Sequence, residues 1–271
     1  MIDSHAHLQA DAFAADARDV AAAARLAGVE RLLVPGWDAV SSAKGLALAR
    51  DLRGDGSAGI HPHVAGSADE EAWASIEQLA SDERAVAVGE TGLDYDRGFS
   101  PREAQLANLR RHLALGRELG KPVILHCRSR PGERDAQDDL LRELSEAGAG
   151  GQSWPMPDDR PPALLHSFSG PLDYAERALE MGLAVSFSGL VFRAGEEASA
   201  EVAALVPHDR LLVETDSPYL SPPGASRRRN EPQWVGITAG WLAQRWGTEP
   251  HALGEALVAN YDRIFGRPSG G

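Results

Sequence analysis

Two histidines, His5 and His7, stand two residues apart near the start of the chain. On an extended strand that spacing turns both rings to one side, where together they can hold one cation. Four more residues of strong metal-ligand type close apolar runs further along: Glu90, His126, His166 and Asp216. A carboxylate such as Glu90 can bridge two ions. Asp216 can bind a metal and take a proton from its water, and His126 with His166 completes a second site. Imidazole mixed with carboxylate suits Zn, Mn or Fe, whereas an oxygen-richer shell favours Mg or Mn. The chemistry this set offers is hydrolysis by metal-activated water, with two ions about 4 Å apart.

Such residues must be held by a scaffold, and the hydrophobic pattern supplies one. Short runs rich in Val, Ile and Leu fall near 2–5, 31–36, 58–61, 85–89, 122–126, 163–166, 183–187 and 210–214. Longer Ala/Leu/Arg/Glu stretches of helical period separate them. That alternation predicts a parallel sheet closed by crossover helices, an α/β fold of (β/α)8 barrel type, as a single domain over residues 1–271. The periodicity is strong over 102–119 and 237–246 and weak over 195–205, and a last helical stretch, 251–265, covers the outside. In such a barrel the C-terminal strand ends form the active-site rim, and nearly every strong metal-ligand type in the chain lands there. The Gly/Pro-rich segment 148–162 joins the fifth helix to the sixth strand, which places it on the opposite face.

Other rim candidates are read more plainly. His61 can donate to a phosphate or orient a ligand, and Asp94 and Asp96, in a loop, can be ligands but more often cap or orient their neighbours. Tyr95, Phe168 and Tyr219 lie where a base could stack. His112, His208 and His251 fall on helices or their caps and read as structural or solvated. Cys127 follows His126 and so points to the other side of its strand.

The 271 residues carry 27 basic and 40 acidic side chains, a net charge of −13, and the only lysines are Lys44 and Lys121. An acidic protein does not coat nucleic acid non-specifically, because that binding rests on a basic surface; local contact with DNA stays open. One cysteine excludes an intramolecular disulfide framework. No apolar run has membrane-spanning length and no signal peptide precedes DSHAHL. The expectation is a cytoplasmic protein without a membrane partner.

The strings DSHAHL (3–8), GIHPH (59–63), GETGLDY (89–95), PVILHCR (122–128), LHSFSG (165–170), ETDSPYL (214–220), RNEP (229–232) and NYDRIFG (260–266) together resemble the TatD family of metal-dependent hydrolases, described as deoxyribonucleases within the amidohydrolase superfamily. They run in family order over nearly the whole chain. The resemblance implies that His5, His7 and Asp216 bind a first metal, His126 and His166 a second, and that Glu90 bridges them. Many superfamily relatives bridge with a carboxylated lysine. Lys44 and Lys121 are both wrongly placed for that, which moves the reading toward TatD. One departure is Ser167, where the family commonly has cysteine.

The resemblance implies phosphodiester cleavage in DNA, exonucleolytic on single strands, with two divalent ions (Mg, Mn or Zn). Glu90 and Asp216 are the catalytic carboxylates, Asp216 acting as general base. His61, Arg128 and Arg229 are the expected substrate contacts, since a guanidinium fork matches phosphate oxygens, and Arg227–Arg229 lends local positive potential. Two alternatives stay open: a small-molecule amide or ester hydrolase using the same metals, and a non-catalytic metal-binding interaction protein.

Overall fold

The computed structural model describes residues 1–266 except Gln152, Ser153, Pro155 and Arg227. Eight parallel strands follow one another around a single sheet in sequence order: β1 (Ile2–Asp3), β2 (Arg31–Pro35), β3 (Asp55–Ala58), β4 (Ala85–Asp94), β5 (Val123–Arg128), β6 (Ala163–Leu165), β7 (Ala184–Phe187) and β8 (Leu211–Val213). Helices α1 (Ala17–Leu26), α2 (Ala39–Leu52), α3 (Glu70–Ala80), α4 (Arg102–Leu119), α5 (Asp135–Ala147), α6 (Leu172–Glu180), α7 (Ser199–Leu205) and α8 (Val235–Trp246) follow them in turn, and α9 (Pro250–Ile264) is added outside. β1 and β8 meet where the Ser4 amide donates to Val213 O at 3.1 Å, and a parallel bridge joins Ala6 to Ser217. This is the (β/α)8 barrel that the alternation of runs predicts.

Local chemistry explains the element boundaries. Asp38 accepts the Ser41 amide at 2.6 Å to start α2, and Asp69 accepts the Ala72 amide at 2.8 Å to start α3, each satisfying an otherwise unpaired helix donor. α4 stops at Gly120, whose φ of 61° suits glycine. The apolar faces of strands and helices merge into one large buried cluster running from Ile2 through Leu125 and Leu212 to Phe265. A smaller one, around Phe13 and Val34, lies under α1.

Three strands depart from the sequence expectation. β3 lies at 55–58, ahead of the run expected at 58–61, and reads DGSA. Its residues are small because α2 packs close: a Cβ on Gly56 would stand 2.9 Å from Leu46 Cδ2. Asp55 is buried there and accepts the Tyr261 hydroxyl at 2.9 Å. β4 does not end at Glu90 but runs on to Asp94, with an irregular register against β5 between Val88 and Thr91. β5 likewise passes His126 to Arg128. The described part of 148–162 packs at the strand starts, Pro157 against Gly120 and Trp154 against Gly116, on the face opposite the histidines.

Candidate metal centre

The irregular stretch of β4 builds the centre. Gly92 has φ 134°, and a Cβ there would lie 2.0 Å from His126 O. Only glycine permits so close an approach, which draws the β4 backbone beside β5 as Glu90 enters the barrel mouth. His5 and His7 follow β1, His61 and His63 follow β3, His126 lies on β5, and His166 and Asp216 follow β6 and β8. Asp216 has φ 55°, an uncommon conformation for a residue with a side chain. Its amide donates to His5 O at 2.9 Å and its carbonyl accepts the Tyr219 amide at 2.8 Å, which hold it there.

The side chains converge. His5 Nε2 and His7 Nε2 are 3.2 Å apart. Glu90 Oε2 lies 3.2 Å from the first and 3.7 Å from the second. Asp216 Oδ1 lies 3.9 Å and 3.5 Å from the same two nitrogens. The other Glu90 oxygen, Oε1, faces the opposite group: His166 Nε2 at 2.9 Å, His61 Nε2 at 3.2 Å and His126 Nδ1 at 3.3 Å. The carboxylate thus presents one oxygen to each of two clusters of ligand atoms, His5–His7–Asp216 and Glu90–His126–His166.

These groups fit cations better than they fit one another. His166 Nε2 is buried without a hydrogen-bond partner, its short approach to Glu90 being off the hydrogen-bonding direction. Two imidazole nitrogens and two carboxylate oxygens gathered at one point make a donor set of the kind Zn, Mn or Mg takes.

A second layer fixes the ligands. His166 Nδ1–H donates to Glu214 at 3.1 Å, leaving Nε2 turned inward. Glu214 is wholly buried and also accepts from Ser186 Oγ at 2.5 Å and Ser4 Oγ at 3.4 Å. Asp94 Oδ2 does the same for His126, lying 3.2 Å from its Nε2, and 2.7 Å from His63 Nε2. Such carboxylate–histidine pairs set the tautomer and ring orientation of metal ligands. Asp3 accepts the Thr215 amide at 3.0 Å and the His5 amide at 3.3 Å, tying the first strand end to the last.

Electrostatics follow from crowding. Burial alone would raise Glu90, but His166, His61 and His5 outweigh it and hold the carboxyl well below its ordinary range. Burial likewise works against charge on His166, yet Glu90 and Glu214 together lift it well above 6.5. His7 and His126 are raised in the same way, by Asp216 with Glu90 and by Asp94 with Glu90, against their burial. Asp216 is lowered: burial opposes this, and His7 and His5 overcome it. Burial dominates at His61 and takes it down to about 4. The His63 amide donates to His61 Nδ1 at 3.1 Å, so its proton sits on Nε2. In this arrangement His61 turns a neutral Nε2–H toward Glu90 Oε1, 3.2 Å away.

The remaining expected residues divide. Arg128 is half-exposed at the rim with Nε on Asp96 at 2.8 Å. Arg229 is not free for phosphate. Its guanidinium bonds Asp16 at 2.8 and 2.9 Å, Glu231 at 2.7 Å and Ala12 O at 2.8 Å, and lies over the Phe13 ring. Arg227, the start of the expected basic run, lies outside the described residues. Of the three stacking candidates, Tyr95 and Phe168 are buried, with the Tyr95 hydroxyl on Asp139 and Phe168 stacked on Tyr174; Tyr219 alone is exposed. Ser167 has its hydroxyl 2.6 Å from that of Ser188. His112 is buried in α4, accepts the Ile60 amide at 2.9 Å and is structural; His208 stacks on Trp246 and His251 is exposed. The Cys127 thiol meets Tyr174 and is pushed up to about 12 by burial. Glu214 is the functional residue that the sequence leaves without a role; its two-residue spacing from Asp216, which sets both at the end of the eighth run, is the available signal.

The family model described as TatD related DNase matches residues 2–266. A 3'-5' ssDNA/RNA exonuclease TatD of Erwinia billingiae is 36% identical over 277 residues, covering 99% of this chain and 100% of its own. An uncharacterized metal-dependent hydrolase, YabD of Bacillus subtilis, is 32% identical over 266 residues and 98% of each chain. Among solved structures, YJJV, a TatD homologue from Escherichia coli K12, superposes with a TM-score of 0.86 at 27% identity, over 99% of this chain and 98% of its own. A mutant organophosphorus hydrolase, at 16% identity and TM-score 0.63, shares the fold. With a family model covering the barrel from first strand to last helix, and relatives matched end to end, this chain belongs to the TatD family of metal-dependent hydrolases.

Proposed function

We propose that the chain is a two-metal phosphodiesterase that removes nucleotides from the 3' end of single-stranded DNA or RNA. The observation that carries the metal part is the division of Glu90, one oxygen toward His5 and His7 and the other toward His126 and His166. His5, His7 and Asp216 would hold one divalent ion, His126 and His166 a second, with Glu90 between. Bound there, such ions lower the pKa of water toward neutrality and offset charge on phosphoryl oxygens. The substrate part rests on relatives named as single-strand exonucleases that match this chain end to end.

The protein's own groups divide the remaining work. Asp216, whose Oδ1 lies 3.5 Å from His7 Nε2, would bind the first ion through that oxygen and accept the proton of the attacking water. His61 presents Nε2–H to the mouth and donates to a phosphoryl oxygen without itself titrating near pH 7. Arg128, half-exposed with its Nε on Asp96, can pair with the backbone phosphate. Glu214 and Asp94 keep the histidine rings in register as protons move.

The test is cleavage of 5'- and 3'-labelled single strands across Mg, Mn and Zn, run beside a panel of esters and amides. A ladder shortening from the 3' end with one of these ions supports the reading. Turnover of an ester or amide with no cleavage of any strand would overturn it.

A further inference from the structure

Five large hydrophobic side chains are strongly exposed among the described residues, and the two aromatic ones both flank the metal centre: Phe99, 68% exposed, and Tyr219, 59% exposed. Phe99 lies in the β4–α4 loop, in the string RGFSP, and nothing in its sequence context marked it. The loop is nonetheless fixed on either side. Ser100 donates to His63 O at 2.9 Å and accepts the Gly66 amide at 3.0 Å. The Asp96 and Arg97 amides donate to Asp94 Oδ1 at 3.1 and 2.9 Å. A well-anchored loop thus holds an apolar ring in water, its centroid 4.8 Å from His63 in an edge-on contact.

From Phe99 a row of rings crosses the whole mouth. His63 stands 6.0 Å from His126, which is 5.6 Å from His166. His166 stacks on His5 at 4.0 Å, and His5 meets His7 at 4.8 Å. His7 in turn lies 6.1 Å from Tyr219. The histidines in the middle surround Glu90, and the two exposed aromatics close the row at either end.

We infer that Phe99 and Tyr219 form a pair of nucleobase-stacking subsites, one on each side of the scissile phosphate. The inference rests on the proposed nuclease reading and extends it to how the strand is gripped. Single-strand binding ordinarily combines a positive groove with aromatic platforms. This chain has a net charge of −13, and Arg229 is consumed by Asp16 and Glu231. Away from the metal centre and Arg128 the electrostatic share is therefore small, and stacking carries the grip. Stacking accepts any base but requires one that is unpaired, which gives a preference for single strands without reading sequence. Asp94 connects the Phe99 end to the centre, since it bonds His63, on which the ring rests, and His126.

The experiment is a cycle between enzyme and substrate. Wild type, Phe99→Ala and Phe99→Trp, and separately Tyr219→Ala, are assayed on a short single strand and on the same strand with a tetrahydrofuran in place of each of the two 3'-terminal nucleosides in turn. Phe99→Ala is expected to raise KM on the order of 10-fold with kcat nearly unchanged, and Phe99→Trp to restore it. Against the strand lacking the partnered base, Phe99→Ala should add no further loss. Equal penalties on intact and abasic strands, or no change in KM, would overturn the inference while cleavage by wild type leaves the nuclease reading intact. A wild type that cuts no strand overturns both. The salt slope of log KM, expected to be shallow, gives a second readout: a steep slope would return the grip to phosphate contacts.

Discussion

Replacing Glu214 by Gln tests whether the layer behind the ligands matters as much as the ligands. Glu214 touches neither the centre of the mouth nor solvent; it acts through the His166 Nδ1–H it accepts at 3.1 Å. Gln keeps the volume and removes the charge. Its single oxygen can still serve His166, but then an NH2 faces Ser186 Oγ and Ser4 Oγ, which bonded the other carboxylate oxygen at 2.5 and 3.4 Å. If it turns the other way, His166 faces a donor. Outer-layer carboxylates of this kind are worth about 10- to 100-fold in metal affinity, or about 1.4 to 2.7 kcal/mol. Ser186→Ala removes one neutral donor to the same carboxylate and should cost about 1.5 to 3 kcal/mol in stability with a smaller effect on the ion. Calorimetric titration of the chelated proteins with Mn or Zn reads affinity and stoichiometry, and a melting curve reads the fold. Loss of affinity confined to one ion, with a cooperative melt retained, is expected. Wild-type affinity for every ion in a folded Glu214→Gln protein would refute the reasoning.

Asp216→Asn should melt like wild type yet lose at least about 100-fold in metal-dependent cleavage; cleavage at the wild-type rate removes Asp216 as the base. Exhaustive chelation should abolish hydrolysis, and a divalent series should restore it; full activity in chelator would contradict a metal centre. In the ion-free protein His166 is raised well above 6.5, so its charged form stabilises the fold fully below about pH 6.5 and that contribution is lost as pH climbs through the raised value. The Tm gap between chelated wild type and His166→Asn should therefore shrink as pH rises above about 6.5 and through the raised value, while metal binding strengthens as protons leave; a widening gap would reverse the assigned sign. Arg229→Ala should lower Tm by releasing Asp16, Glu231 and the Phe13 face with KM for single strands unchanged. A raised KM at unchanged Tm would reinstate it as a phosphate contact.

The parts of this molecule written in periodicity were legible from sequence, and the parts written in close approach were not. α4 has the 102–119 bounds its helical repeat predicts, because a long two-faced helix is decided locally. β3 was misplaced because its residues are small to admit α2, so the apolar signal fell one step late. The apolar run ends at 89, yet pairing with β5 extends the strand through GETGLD to Asp94. The six ligand candidates do come together, since a strand end in a parallel barrel has only one face to occupy. Aromatic exposure was the least readable property. Tyr95 and Phe168 turn inward and Phe99 outward, a choice made by tertiary packing that no local spacing encodes.

The seam between β1 and β8 has a consequence for the life of the chain. His5 and His7 arrive first from the ribosome and Asp216 more than two hundred residues later. β1 is only two residues long, and the seam is carried largely by bonds beyond it, such as His7 N–H to Ser217 O and Asp216 N–H to His5 O. A cation held by His5, His7 and Asp216, as proposed, would be a clasp across the joint between the first strand and the last. On that reading a partly made or partly unravelled chain would lack the first site, and activity would wait for the closed ring. Supplying or withholding the cation during refolding would set how firmly the N-terminal segment stays fastened.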